Sequence, residues 1–346
     1  MPVGIRMGKD AAFQDAIGGR WLVDDMLRVE DVMIRTAGAS RHTLVSEASL
    51  YLLNAGGKRL RPALVMITAR AGEPGRPGSE LAAAAIELVH LATLYHDDVI
   101  DGTVTRRGVA TTHSKWGTDI AVLAGDYLFA CGSSLGASAG GEVPLILAHA
   151  IAEVCEGQIV ETTATGDPFR RVDDYIEVIS LKTAALFRSA CDVGAATSGA
   201  TLEHRTSLVT YGESLGLCFQ IVDDLLDLVG DPVVTGKPLG TDLREGVFTA
   251  PVLLACERDP KLAKKLSGGP LDLEEILPAL WATGAIADGY AMAASYAARG
   301  RNALETLPDE DYRTVLETIL DGVLAQVDTT PSANGYNIKA RTMTDR

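Results

Sequence analysis

Glu87-Leu-Val-His-Leu-Ala-Thr-Leu-Tyr-His-Asp-Asp-Val-Ile-Asp101 is the stretch on which the fold turns. Apolar residues recur along it at helical rather than two-residue spacing, behind the run Ala82-Ala83-Ala84-Ala85, so it reads as a helix over about 79–100. That helix ends on three aspartates, with Asp97 and Asp101 one turn apart on one face. Like charges so placed destabilise an isolated helix by roughly 0.2–0.5 kcal/mol, and the negative end of the helix dipole adds to the cost. Something cationic is needed to compensate them.

The pattern returns far along the chain as Val222-Asp223-Asp224-Leu225-Leu226-Asp227, again closing an apolar helical run. A solvated acidic helix end is the commoner fate of one such cluster, but two copies in similar apolar contexts favour a bound cation. Clustered carboxylates suit hard cations, above all Mg2+ held by one or two carboxylates plus substrate phosphates. A calcium loop of the EF-hand kind is excluded, because the spaced ligands and closing Glu are missing.

Basic residues answer the acidic ones. In Gly56-Gly57-Lys58-Arg59-Leu60-Arg61-Pro62 the glycines suit a helix end and Pro62 the first turn of the next helix. Lys58, Arg59 and Arg61 then crowd a helix N-terminus, where positive charge is disfavoured unless an anion is bound. Arg106-Arg107-Gly108 lies just beyond the first cluster, and Lys237, in Gly236-Lys237-Pro238, beyond the second. Lys182 sits in the apolar run Ile176–Phe187, where a snorkelling lysine is the default reading. His90 shares roughly one side of its helix with Asp97; a lone histidine there is more often a satisfied core residue than a ligand.

Elsewhere the same helical spacing predicts helices at about 22–37, 43–55, 62–72, 118–136, 143–164, 173–195, 201–228, 248–257, 273–282 and 284–305, without convincing strands. The 346 residues are 47% hydrophobic, enough for a sizeable core, and no composition shift marks a second domain. One domain over 1–328 is expected, with a polar, frayed tail over 329–346. A net charge of -15 argues against nucleic acid. Any anionic substrate must therefore be drawn by local basic groups or cations. The five cysteines show no metal spacing and read as buried free thiols in a reducing cytosol. No secretory signal stands at the start, and the most apolar stretches (Leu81–His96 and Val143–Cys155) are too short or interrupted to span a bilayer. The expectation is a soluble, cytoplasmic protein with no transmembrane segment.

These motifs, together with Phe219-Gln-Ile-Val-Asp-Asp-Leu-Leu-Asp227 and Gly240-Thr-Asp-Leu-Arg-Glu-Gly246, stand in the order found in the trans-isoprenyl diphosphate synthases. The chain resembles that family, particularly its long-chain polyprenyl members, over about residues 45–260. The resemblance implies an all-α fold: a single large helical bundle around a central cavity, acting as a homodimer. It implies Mg2+-dependent head-to-tail condensation of isopentenyl diphosphate with an allylic diphosphate, to a product longer than C20. By motif, Asp97, Asp101 and Asp223 would be the firmest metal contacts, with Asp98, Asp224 and Asp227 supporting. Arg106, Lys182 and Lys237 would hold the allylic diphosphate, and Lys58, Arg61, His90 and Arg107 isopentenyl diphosphate, leaving Arg59 doubtful. Thr183 and Gln220 would face the reacting carbons. Two departures stand out: Val247 occupies a place where the family often has lysine, and the usual basic C-terminal end is missing.

The alternatives are a farnesyl or geranylgeranyl diphosphate synthase, a class I terpene cyclase, or a non-catalytic synthase subunit. A cyclase usually lacks a second DDxxD and an isopentenyl diphosphate site, and a non-catalytic subunit would be expected to lose aspartates. Chain length points beyond C20, because Ala92 and Thr93, one turn before Asp97, are small where short-chain members commonly carry an aromatic plug. Val89 lies farther back, before the alanine run, so no bulky floor is evident over the approximately 24 Å from Leu81 to Asp97. The plainer reading is that these small residues let two helices pack closely, with Tyr95 or another residue blocking the tunnel.

Overall fold

The computed structural model describes residues 20–73, 75–232, 238–269, 271–308 and 310–329. The fold is all-α, as expected. Helices α1 (Arg20–Ala37), α2 (Thr43–Asn54), α3 (Leu60–Thr68) and α4 (Ser79–Ile100) lead to a two-stranded hairpin, β1 (Thr105–Arg106) and β2 (Val109–Ala110). Then come α5 (Thr112–Trp116), α6 (Thr118–Ala139), α7 (Val143–Ala164), α8 (Val172–Ile179), a π-helical turn (Ser180–Ala184), α9 (Ala185–Ser198) and α10 (Leu202–Val229). The rest is α11 (Thr241–Glu245), α12 (Ala250–Arg258), α13 (Pro260–Leu266), α14 (Leu273–Ala282), α15 (Ala285–Leu304) and α16 (Asp311–Thr329).

The chain forms two compact units, each assembled from separated segments. The first comprises the chain up to Ile151 with Leu186–Val209 and Thr306–Thr318. It is built on apolar stripes: Leu22, Met26, Val29, Met33 and Ala37 of α1 are all buried at helical spacing. Within it α4 and α6 approach to backbone distance, since a Cβ at Gly132 would lie 3.0 Å from Val89 Cγ2 and 3.1 Å from the Ala85 carbonyl. The Tyr95 hydroxyl donates to the Ala48 carbonyl (2.6 Å) and accepts from Leu52 N–H (3.2 Å), fastening α4 to α2.

The second unit comprises Ala152–Ala185, Thr210–Glu305 and the chain from Ile319. Here α7 meets the π turn closely, a Cβ at Gly157 falling 2.7 Å from Lys182 N. A capping box between Asp272 and Glu275 starts α14.

Four expectations need correction. The helix expected over 173–195 is interrupted by the π turn, which contains Lys182 and Thr183. Helices α5, α11, α13 and α16 were not expected, nor was the hairpin, which is too short to show an alternating pattern. Cys155 is exposed, although the other four cysteines are buried free thiols, and burial raises the pKa of Cys218 to about 12 and of Cys256 to about 11. Finally, the apolar stretch from Val143 is not too short: α6 and α7 are 22 residues each and, by length and composition, apolar enough to cross a membrane. Glu153, Glu156 and Glu161 on α7 would be costly in hydrocarbon, so the pair fits a soluble protein.

Candidate active site

The first aspartate cluster divides by burial. Asp97 is half-buried and Asp101 exposed, whereas Asp98 is 1% exposed. Asp98 accepts a hydrogen bond from Arg106 Nε at 2.5 Å, and its second oxygen is buried without a hydrogen-bond partner. Burial raises the Asp98 pKa despite the opposing charge of Arg106. The next residue on the hairpin, Arg107, has a left-handed backbone (φ 53°), followed by Gly108 (φ 77°). Two such residues make the primed turn that matches strand twist. The turn sends the Arg107 guanidinium back to the end of α2, where Nη1 donates to the Leu52 (3.1 Å) and Gly56 carbonyls.

This explains Gly56-Gly57 physically. A Cβ at Gly57 would lie 2.9 Å from Arg107 Cζ, and Gly57 itself has φ +153°. Arg59, also left-handed (φ 50°), turns inward. Its side chain is 3% exposed and pairs with Glu87 (3.0 Å) and Glu30 (3.2 Å), and it also donates to the Leu53 carbonyl at 2.8 Å. Burial works against its charge, but the two glutamates outweigh it and the net shift is upward. Arg59 is thus a strut in the wall, while Lys58 beside it is exposed.

Arg61 lies over the Phe187 ring (4.4 Å to the centroid), with Nη1 3.2 Å from His90 Nε2 and Nε without a hydrogen-bond partner. Burial, added to the nearby Arg107 charge, brings the Arg61 pKa down to about 10 although Glu87 supports it. Burial and then the charges of Arg61, Arg107, Arg106 and Arg59 hold His90 well below the usual imidazole range. Mutually repelling cations with an unused donor make a site that a polyanion would relieve.

In the second unit the cluster divides in the same way. Asp223 is exposed and Asp224 buried. Asp224 accepts from Gln220 Nε2 (2.8 Å) and from the buried Tyr175 hydroxyl, and burial pushes its pKa up to about 7 against those hydrogen bonds. The Asp227 carboxylate accepts the N–H groups of Thr241 (3.1 Å) and Asp242 (3.2 Å), holding the start of α11. Lys182 donates to Glu161, and Thr183 donates to Gln220 Oε1 at 2.8 Å. Lys237 lies outside the described residues. The Val247 N–H donates to the Asp242 carbonyl at 2.8 Å, closing the turn after α11.

The first unit therefore brings together Asp98 with Arg106, Arg61 with His90, and Arg107 with Gly57. The second brings together Thr183, Gln220 and Asp224. Of the chain-length candidates, Ala92, Thr93 and Val89 are all buried, with Val89 packed against Gly132 of α6. Glu87, Glu30, Tyr175 and Glu161 were missed by sequence reasoning. A buried Glu87 between apolar neighbours was the one available signal.

Residues 42–271 match the Polyprenyl synthetase family. The chain belongs to that family. It is 38% identical to a nonaprenyl diphosphate synthase of Mycobacterium tuberculosis, over 92% of this chain and 95% of that one. A heptaprenyl diphosphate synthase component 2 of Geobacillus stearothermophilus is 36% identical, over 86% of this chain and 95% of that one. Among solved structures, a Caulobacter crescentus polyprenyl synthase complexed with calcium and isoprenyl diphosphate superposes with a TM-score of 0.84. That pair is 32% identical and covers 92% of this chain and 99% of the other. The synthase is a prenyltransferase, a trans-polyprenyl diphosphate synthase.

Proposed function

We propose that this synthase adds isopentenyl diphosphate repeatedly, head to tail, to an allylic diphosphate, making a trans-polyprenyl diphosphate longer than C20 with Mg2+. The observation that carries this reading is the cluster of Arg61, His90 and Arg107, with its unused Arg61 donor, in the same unit as Asp97 and Asp101.

Among the described residues no three His, Cys, Asp or Glu side chains form a ready metal cage. That fits a cation held jointly by a carboxylate or two and substrate phosphates, and the all-oxygen donors Asp97, Asp101 and Asp223 suit Mg2+. The unpartnered oxygen of Asp98 adds to this fit on one side. Asp224 and Asp227 already serve protein donors, so their support would be indirect. When bound, Mg2+ would stabilise charge on the departing diphosphate.

The residues of the chain do the rest. Arg106 and Lys182, with Lys237 by motif, bind the allylic diphosphate, and Lys58, Arg61, His90 and Arg107 bind isopentenyl diphosphate. Thr183 and Gln220 face the reacting carbons, with the Thr183 oxygen toward the one that becomes positive. Apolar walls exclude water from it, and the isopentenyl double bond, held nearby, attacks. Small side chains at Ala92 and Thr93, where an aromatic plug would stop a short product, support a long tail.

The partner is a second copy of this chain. Exposed Val122 and Leu123 on α6 and Leu145 on α7, all in the first unit, support an apolar docking face. The name of the Geobacillus relative, a component, favours a second reading in which another subunit is needed. Retention of all six motif aspartates argues for self-sufficiency.

The test is the purified chain alone with Mg2+, isopentenyl diphosphate and farnesyl diphosphate, with products separated by length. Products beyond C20 are expected, and Asp97→Asn, Asp101→Asn or Asp223→Asn should cut turnover by orders of magnitude with circular dichroism unchanged. No product from the wild-type chain alone would overturn the self-sufficient synthase, and normal turnover in all three variants the metal site.

A further inference from the structure

The hydrogen bonds that begin at Thr183 run through Gln220 and Asp224 and end at Tyr175, a residue outside every motif. Thr183 Oγ1 lies 2.8 Å from Gln220 Oε1, Gln220 Nε2 lies 2.8 Å from Asp224 Oδ1, and the Tyr175 hydroxyl meets Asp224 Oδ2. Tyr175 and Asp224 are each 3% exposed, and the four groups belong to one compact unit.

Donor and acceptor roles are settled from the buried end. With Asp224 ionised, both its oxygens accept, so the Gln220 amide turns its NH2 to Asp224 and its carbonyl to Thr183. The Thr183 hydroxyl then has to donate to that carbonyl, which leaves its lone pairs pointing elsewhere. Thr183 meets Gln220 from within the π turn. In it the register slips so that Lys182 and Thr183 leave the line of α8.

We propose that Tyr175 is a positioning residue: by anchoring Asp224 it fixes the direction of this chain, so that Thr183 presents oxygen lone pairs, not its proton, to the allylic carbon. The inference rests on the reading that Thr183 and Gln220 face that carbon. A fixed oxygen dipole stabilises developing positive charge without having to reorient during the reaction. With the amide reversed, Thr183 would accept from NH2 and its proton would be free to point at the cation. Without the Tyr175 hydroxyl, Asp224 Oδ2 loses its donor, the carboxylate is free to turn, and nothing holds the amide in one orientation.

The test is a double-mutant cycle in the full chain with Mg2+, isopentenyl and farnesyl diphosphates: Tyr175→Phe, Gln220→Leu and the double variant, each with its melting temperature. Tyr175→Phe should lower kcat by about 10- to 100-fold, the scale of a charge-assisted hydrogen bond, and change either KM by less than about 3-fold. In the Gln220→Leu background, Tyr175→Phe should have no further effect on kcat. Unchanged kcat in Tyr175→Phe, or defects that multiply in the double variant, would overturn the positioning role while leaving the synthase assignment intact. An inactive wild-type chain would overturn the assignment and the inference together. Should Tyr175→Phe not accumulate folded, Thr183→Val, Gln220→Leu and their double carry the test from the other end. There, two singles as slow as the double are expected, and independent defects refute the chain.

Discussion

Replacing Glu87 by Gln tests whether the buried strut under the basic site is held by charge. Glu87 is 2% exposed and its partner Arg59 3%, with 3.0 Å between them; Glu30, the second partner, is 23% exposed. Breaking one side of a buried pair costs about 3–5 kcal/mol, because the remaining charge stays desolvated. Glu30 and the Leu53 carbonyl still serve Arg59, so the lower end, about 3 kcal/mol, applies. For 346 residues, an unfolding entropy of about 2.1 cal/mol/K per residue turns this into a fall of about 4 °C in Tm. Scanning calorimetry of the apo chain is the assay. Glu87 also supports the charges of Arg61 and Arg107, so its loss leaves a more repulsive cluster, and added inorganic pyrophosphate should raise Tm more than in wild type. The double variant Arg59→Met, Glu87→Met should lose less than Glu87→Gln, since no uncompensated charge remains. A Glu87→Gln Tm within about 1 °C of wild type, or a double variant worse than the single, would refute the reasoning.

Lys58→Ala and Arg107→Ala should mainly raise KM for isopentenyl diphosphate, and Lys182→Ala and Arg106→Ala should mainly impair the allylic substrate, in kinetics with each substrate varied separately. Arg106→Ala should also lower Tm, because it strips Asp98 of its partner, whereas exposed Lys58→Ala should not. His90 is held neutral when folded, so the unfolded chain binds more protons below about pH 6.5, and apo stability should fall as pH drops from there toward the depressed folded value. In His90→Gln that part of the acid loss should vanish, as read from Tm between pH 8 and 5.5; parallel curves would contradict it. Ala92→Phe should shorten the product to C15–C20 with ionisation intact, seen by chromatography; unchanged length would end the open-tunnel argument.

Much of this molecule was legible in its sequence, for reasons visible at single residues. Helix α4 was readable to its ends because its alanines, leucines and closing aspartates repeat without interruption. The basic loop was readable because a proline and two glycines confine it. The π turn was not, since Ser-Leu-Lys-Thr-Ala fits an ordinary helix and the close neighbour it meets, Gly157, is distant in sequence. Helix α16 hid behind charges such as Arg313 and Glu317, although Tyr312, Leu316, Ile319, Leu320, Val323 and Val327 form its buried stripe. In the site, motif spacing picked out residues that the structure brings together, such as Arg61 with His90 and Thr183 with Gln220. What the spacing does not announce is the burial that separates Asp98 and Asp224 from the less buried Asp97 and Asp223.

The guanidinium of Arg107 fills the volume that a side chain at position 57 would need, and the two positions belong to segments that are far apart in sequence. They should therefore be epistatic. A side chain at Gly57 is harmful for two reasons, the backbone it strains and the arginine it evicts, and only the second disappears when Arg107 is already gone. Gly57→Ala should then cost less stability in an Arg107→Ala background than in the wild type, and single-site scanning would overstate how intolerant the loop is in itself.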